Sequence, residues 1–244
     1  MVTTARVPTP DFHETSVEFC GTRWALAVPA NDHIGSIVER THVPYEADLL
    51  HFTCSLLQPN DLVVDVGANI GNHSLCWAMS AHSRVISIEP NPAALVYLRR
   101  NVELNAMAEH IHIEPVAVGA ATGRAEIANV VPGNLGATSI AQSPLGEIIL
   151  RRLDDVLGPA TPHVKLLKID VEGAEPQVLA GAVRTIEQSH PLIVAEAGTL
   201  AEARAIDEIL FEYGYRREPH NLAATPTYLW RPSGQSNAPA PRQA

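Results

Sequence analysis

Asp61-Leu-Val-Val-Asp-Val-Gly-Ala-Asn-Ile-Gly71 is an apolar strand that runs into a carboxylate and a turn with two glycines. Leu62, Val63, Val64 and Val66 are the aliphatic residues of a buried parallel strand, with Asn60 and Asp61 as the loop before it. Gly67 and Gly71 let the backbone turn tightly and approach a ligand with no Cβ in the way. The spacing is G-x-x-x-G. It lacks the G-x-G-x-x-G of dinucleotide enzymes and the Gly-Lys-Ser/Thr ending of a phosphate loop, so a diphosphate cradle is the poorer reading. Asp65 would repel a diphosphate. It would attract the ammonium of an amino-acid ligand, directly or through water and turn amides.

Working outward, Arg84-Val-Ile-Ser-Ile-Glu89 is a second apolar strand ending in an acid. An acid roughly 20 residues past the glycine turn is where doubly wound folds accept ribose hydroxyls. Asp65, the turn and Glu89 together describe a site for a cationic nucleoside, S-adenosylmethionine. A third strand, Val164-Lys-Leu-Leu-Lys-Ile-Asp170, opens into Val-Glu172-Gly-Ala-Glu175, which puts more acids outside the carboxyl ends of the strands. Asp170 and Glu172 can orient an acceptor hydroxyl or take its proton. The plainer alternative makes Glu172 and Glu175 capping acids of the next helix. Glu196 ends a further strand and is a secondary candidate.

Between these motifs, strands alternate with helices, which favours a parallel sheet with covering helices. Helices are expected near 72–81, 92–105, 176–188 and 200–213, and strands at 61–66, 84–89, 111–114, 164–170 and 192–196. Residues 215–218 and 225–230 read as a final hairpin. The glycine- and proline-rich stretch 123–151 interrupts the repeat, with short strands expected at 124–129 and 147–150. Upstream, residues 12–58 read as an accessory element: a hairpin between Ser16 and Val28, broken at Cys20-Gly-Thr, and a helix from Tyr45 to Leu57. The main domain is expected over 59–232, with unstructured ends at 1–11 and 233–244.

At 244 residues the chain can bury one substantial core, and 46% hydrophobic residues is ordinary for a globular protein. The formal net charge of −10 argues against nucleic acid as a partner. Cys20, Cys54 and Cys76 are odd in number and form no C-x-x-C pair, which suggests a reduced, cytoplasmic setting. Neither a secretory leader nor an uninterrupted apolar run long enough to span a membrane is visible.

The ordered set Asp65-Val-Gly-Ala-Asn-Ile-Gly71, Glu89-Pro90-Asn91-Pro92, Val116-Ala-Val-Gly119, Gly136-Ala-Thr-Ser139, Arg152-Leu-Asp-Asp155 and Lys168-Ile-Asp-Val-Glu-Gly-Ala-Glu175 resembles the FkbM family of S-adenosylmethionine-dependent methyltransferases. Asn31-Asp32 and Tyr45-Glu46 add to the resemblance. It implies an α/β class I methyltransferase (Rossmann-like) fold, doubly wound and mostly parallel, with seven strands of which the last is antiparallel. It also implies O-methylation of a hydroxyl on a sugar, glycoconjugate, polyketide or related small metabolite. One departure is Ala137, where many members carry a second glycine. On this basis Asp65, Gly67, Asn69, Gly71 and Asn72 are expected at the methionine end, Glu89 on ribose, and Pro90, Asn91 and Ala117 beside adenosine. Asp170 is expected near the methyl group, with Glu172, His73 or Glu46 as the base.

No metal is expected, because no histidine-based ligand spacing occurs. Asp170, Glu172 and Glu196 nonetheless offer oxygen ligands of the kind some O-methyltransferases use. Three rivals stand beside O-methylation. An N-methyltransferase is opposed by the missing Asn/Asp-Pro-Pro-Tyr/Phe signature, and a nicotinamide dehydrogenase by the glycine spacing. A donor-binding regulator or scaffold without catalysis stays open. Residues 123–151 and the N-terminal hairpin are expected to shape the acceptor pocket; oligomeric state is unread.

Overall fold

The computed structural model describes residues 12–223 and 225–234. The N-terminal end expected to be unstructured and all but two residues of the C-terminal one lie outside these. Ser233 and Gly234 form a turn, with Ser233 N donating to Gly214 O at 2.9 Å.

The chain opens with an antiparallel hairpin, β1 (His13–Phe19) and β2 (Thr22–Val28), whose turn uses positive φ at Cys20 (49°) and Gly21 (75°). Helix α1 (His33–Thr41), which the sequence reading leaves unassigned, is capped by Asp32, whose carboxylate accepts from Gly35 N at 3.1 Å. Helix α2 (Ala47–Ser55) follows. The alternating region is β3 (Leu62–Val66), α3 (Asn72–Ser80), β4 (Arg84–Ile88), α4 (Pro92–Leu104) and β5 (Ile111–Glu114). It breaks at β6 (Ala117–Val118), β7 (Gly123–Val131), β8 (Asn134–Gln142), β9 (Ile148–Arg151) and α5 (Leu153–Leu157). It resumes with β10 (Val164–Ile169), α6 (Glu175–Ala180), α7 (Val183–Ser189), β11 (Leu192–Glu196), α8 (Leu200–Glu212), β12 (Tyr215–Arg217) and β13 (Thr227–Pro232).

The helix expected at 176–188 is two helices, broken at Gly181-Ala182. A Cβ on Gly181 would overlap Gly119 O, so only glycine fits where the break passes the β6 loop. Strand β8 and helix α5 were also unread, because their glycine, serine and aspartate content looks like loop.

Seven strands form the main sheet in the order β12-β13-β11-β10-β3-β4-β5, all parallel except β13, which runs against both neighbours. Lys168 stands beside Asp65, and Asp65 beside Ser87. Strand order reverses between β3 and β10, so the ends of β3, β4, β10 and β11 open onto one crevice, where open α/β sheets bind ligands.

Side chains alternate across the sheet. Val63, Leu166 and Val194 pack under the hairpin, α2, α3 and α4 with Leu26, Leu50, Trp77 and Leu98. Val64, Val66, Ile169 and Ile193 pack under α6, α7 and α8 with Val178, Ile186, Ile206 and Leu210. Described residues of the 12–58 segment therefore share the core of one sheet face. Two asparagines on α4 complete the join. Asn101 accepts from Ala27 N (2.6 Å) and donates to Ala27 O (2.9 Å) and Ile70 O (2.8 Å), and Asn105 makes the same pair of bonds to Ala25 (3.0 and 2.8 Å). These side-chain amides satisfy the β2 edge as a neighbouring strand would.

Candidate active site

The β3–α3 turn passes through positive φ at Gly67 (80°), Asn69 (50°) and Gly71 (88°). Gly67 and Ala68 N donate to Ile88 O (2.9 and 3.1 Å), which pins the turn to the end of β4. A Cβ on Gly67 would overlap Asp170 O. The residue is therefore fixed by contact with β10, in addition to any approach of a ligand.

Glu89 follows β4 and is 6% exposed. Its two oxygens accept from Asn69 N and Asn91 N, both at 2.7 Å. Burial pushes its carboxyl up to about 7, against the pull of these amides and of Lys168. Asn91 caps α4 through Ala93 N (3.0 Å), and its amide nitrogen lies 3.5 Å from Thr138 Oγ1 on β8.

Asp65 is not on the wall. It shares the Val63 face of β3 and is fully buried behind the turn, where Ser74 Oγ donates to it at 2.6 Å and Lys168 Nζ stands 3.2 Å away. Of the two routes expected for Asp65, direct contact or action through the turn amides, this placement leaves the indirect one, by way of Lys168 and the turn. Asn72 is on the wall, but both ends of its carboxamide are bonded to the Tyr45 backbone at 3.0 Å. It holds the segment before α2 in place.

Lys168 was quoted in the sequence motif without a role. The structure makes it the central cation, 5% exposed, donating to Gly67 O (2.9 Å) and paired with Asp65 and Asp170 (3.3 Å). A lysine inside Leu166-Leu-Lys-Ile169 was the available signal, since a buried charge needs partners. Burial opposes the charge on Lys168, but Asp170 and Asp65 outweigh it and hold its pKa above the ordinary value. Burial likewise opposes ionisation of Asp170, and Lys168 with a hydrogen bond from Glu196 holds it below the ordinary carboxylate range. Glu196 is pushed up to about 9 by burial and by Asp170, so the two carboxyls share a proton at neutral pH.

His73 and Glu46 meet beside them, Nε2 to Oε2 at 3.2 Å, with both side chains about nine-tenths buried. Glu46 sits in the left-handed region (φ 58°), and Tyr45 next to it has its phenol pushed up to about 12 by burial and by Glu46, Asp170 and Glu196.

These groups line one cavity of about 750 Å³. Gly67, Asn69, Glu89, Pro90, Asn91 and Ala117 line it, as do His73, Glu46, Asp170, Glu172 and Glu196; the ends of β4 and β11, next to Glu89 and at Glu196, are three strands apart in the sheet. Residues 134–142 form a further wall, so the 123–151 stretch shapes the cavity as expected. The β1–β2 hairpin contributes none of the described wall residues; α1 and the Tyr45 segment do so instead. Asp32, unassigned in the sequence, joins these two walls by accepting from Gly35 N and, at 3.0 Å, from Leu135 N of β8. The Ala137 departure is accommodated: the tight position is Gly136, where a Cβ would lie 3.1 Å from Asn69 Nδ2. Asp170, Glu172 and Glu196 bring one oxygen each within 4.8 Å of one another, an arrangement that suits a cation. No described helix is long and apolar enough to cross a membrane.

Residues 65–217 match the family described as Methyltransferase FkbM domain. The AMB antimetabolite synthetase AmbE of Pseudomonas aeruginosa is 28% identical over 209 residues, covering 66% of this chain and 10% of that protein. The hexuronic acid methyltransferase AglP of Haloferax volcanii is 25% identical over 179 residues, covering 68% of each. The crystal structure of Methyltransferase FkbM from Methylobacillus flagellatus KT superposes with a TM-score of 0.50 at 23% identity, over 73% of this chain and 47% of that one. The chain thus spans a tenth of AmbE and just under half of the crystallised protein.

Proposed function

Because the chain belongs to the FkbM family of methyltransferases, whose methyl donor is S-adenosylmethionine, we propose that it methylates a hydroxyl oxygen of a sugar, glycoconjugate, polyketide or related small metabolite. Its sheet has the class I methyltransferase order. The donor end fits the cofactor. Glu89 offers a carboxylate for ribose hydroxyls, and Asn69, on the same cavity wall, has a buried Oδ1 without a hydrogen-bond partner. Asn91, Pro90 and Ala117 border the adenosine side and Gly67 and Asn69 the methionine side, while Gly71, expected there too, is off the wall and packs against Leu98 of α4.

When bound, the cofactor supplies a methyl group that is already electrophilic. The protein therefore has to align an oxygen and receive its proton. The observation that carries oxygen as the acceptor atom is the buried His73–Glu46 pair beside Asp170. His73 Nε2 takes the hydroxyl proton, and Glu46 Oε2 stabilises the resulting imidazolium. Asp170, held ionised by Lys168, orients the acceptor. The net charge of −10 supports a small-molecule or glycan partner over nucleic acid, and three unpaired cysteines support a cytoplasmic setting.

The test is incubation of the full chain with methyl-labelled cofactor and a panel of glycosides and polyketide alcohols. Label on a hydroxyl oxygen, lost in His73→Gln with cofactor binding retained, is the expected result. Binding without transfer across the panel would favour the regulator or scaffold reading, and label on nitrogen would overturn O-methylation.

A further inference from the structure

Resting on that reading, we infer that the acceptor carries a protonated amine beside the hydroxyl, seated on Asp170, Glu172 and Glu196. The spacing of the three oxygens supports an ammonium occupant. An ammonium has three N–H donors, one for each carboxylate of a close trio. The three carboxylates bring their oxygens within 4.8 Å of one another.

Within the trio, Glu196 lies farthest from the ribose carboxylate Glu89 in strand order. Glu196 ends β11, three strand spacings from β4 and hence about 14 Å from the strand that carries Glu89. Charge favours the same occupant. Glu46, Asp170, Glu172 and Glu196 line the cavity, and no arginine lines it among the described residues. Lys168 is already committed to Asp65, Asp170 and Gly67 O. A uronate or phosphate would be repelled by Glu46 and Glu172, whose charges no lysine or arginine of the described wall pairs, whereas an amine would be attracted.

A second, independent feature points to a bound molecule in the cavity. His73 is 7% exposed and lines the cavity, yet its Nε2 makes no hydrogen bond, because Glu46 is near in distance but out of line. An acceptor whose amine sits on the trio can present a neighbouring hydroxyl to that nitrogen.

The experiment uses the full chain saturated with S-adenosylhomocysteine, titrated with amino sugars, amino alcohols and hydroxyamino acids. Each is paired with its N-acetylated twin, and a set of uronates serves as the anionic comparison. At least one amine is expected to bind about tenfold tighter than its twin, which is the lower end of what a charge-assisted bond contributes. Glu172→Gln, at an exposed position, is expected to erase most of that preference without changing S-adenosylhomocysteine affinity.

Four results would overturn the inference: amines no better than their twins, including no binding by either; uronates preferred; donor-product affinity lost in Glu172→Gln, which would assign the trio to the methionine ammonium; or binding that requires added magnesium and is abolished by EDTA. Transfer to neutral or uronate hydroxyls with no amine preference would sink the inference and leave O-methylation standing. An amine preference with the methyl found on nitrogen would do the reverse.

Discussion

Glu89 holds two opposing demands. Burial favours its neutral form up to about 7, while ribose hydroxyls donate best to the carboxylate. Donor affinity is therefore expected to rise between pH 6 and pH 8, as measured by titration with S-adenosylhomocysteine, and to be flat in Glu89→Gln. The effect on folding has the opposite direction. A carboxyl whose folded pKa lies above its unfolded value of 4.5 contributes stability that is present below about 4.5 and lost as pH rises through about 7. Denaturant midpoints of wild type and Glu89→Gln, compared at pH 5 and pH 8, should show that difference. At His73, glutamine substitution should lower kcat by about 10²- to 10⁴-fold, the range for loss of a general base, with donor affinity unchanged; a normal kcat would remove His73 from the chemistry. The limits of sequence at this scale are clear at Asp65. The acid was visible, but β3 is covered on both faces, so its residues carry no polar–apolar alternation to show which way Asp65 points. Asn72 was likewise visible as a wall residue, but its double bond to Tyr45 depends on a segment 27 residues away.

Among elements, β3, β4, β10 and β11 could be read from their apolar runs and terminal acids, and with them the line of Gly67, Glu89, Asp170 and Glu196 across the crevice. What escaped the sequence was set by contacts between elements. Residue 181, at the break between α6 and α7, is held to glycine by Gly119 O, and β8 pairs with β7 despite its turn-like composition. The same dependence makes Gly67 intolerant. Gly67→Ala combines a positive φ with backbone overlap at Asp170, so the β3 turn and the β10 end must separate. Loss of donor binding and a fall in Tm of at least several degrees are expected. A variant with wild-type Tm and affinity would show that the two strand ends do not touch as described.

In the whole molecule, the accessory residues read as separate from the catalytic half are packed into its core. Leu26, Leu49 and Leu50 share a cluster with Trp77 and Leu98, and Trp77 Nε1 donates to Thr53 Oγ1 at 2.9 Å. Sequence could suggest the hairpin; it could not show that α4 would receive it through Asn101 and Asn105, since those side-chain bonds reach 74 and 80 residues away. Asn101→Ala leaves Ala27 and Ile70 groups unsatisfied in a buried place and should destabilise the fold by about 2–4 kcal/mol, measurable by denaturant unfolding. A change below about 0.5 kcal/mol would mean that water replaces the amide. One carboxamide thus grips both β2 and the glycine turn. The Ala27 amide, which touches no wall of the cavity, becomes a remote gauge of the donor loop. Its hydrogen–deuterium exchange should slow when S-adenosylhomocysteine orders residues 67–71, and that slowing should vanish once Asn101 is replaced.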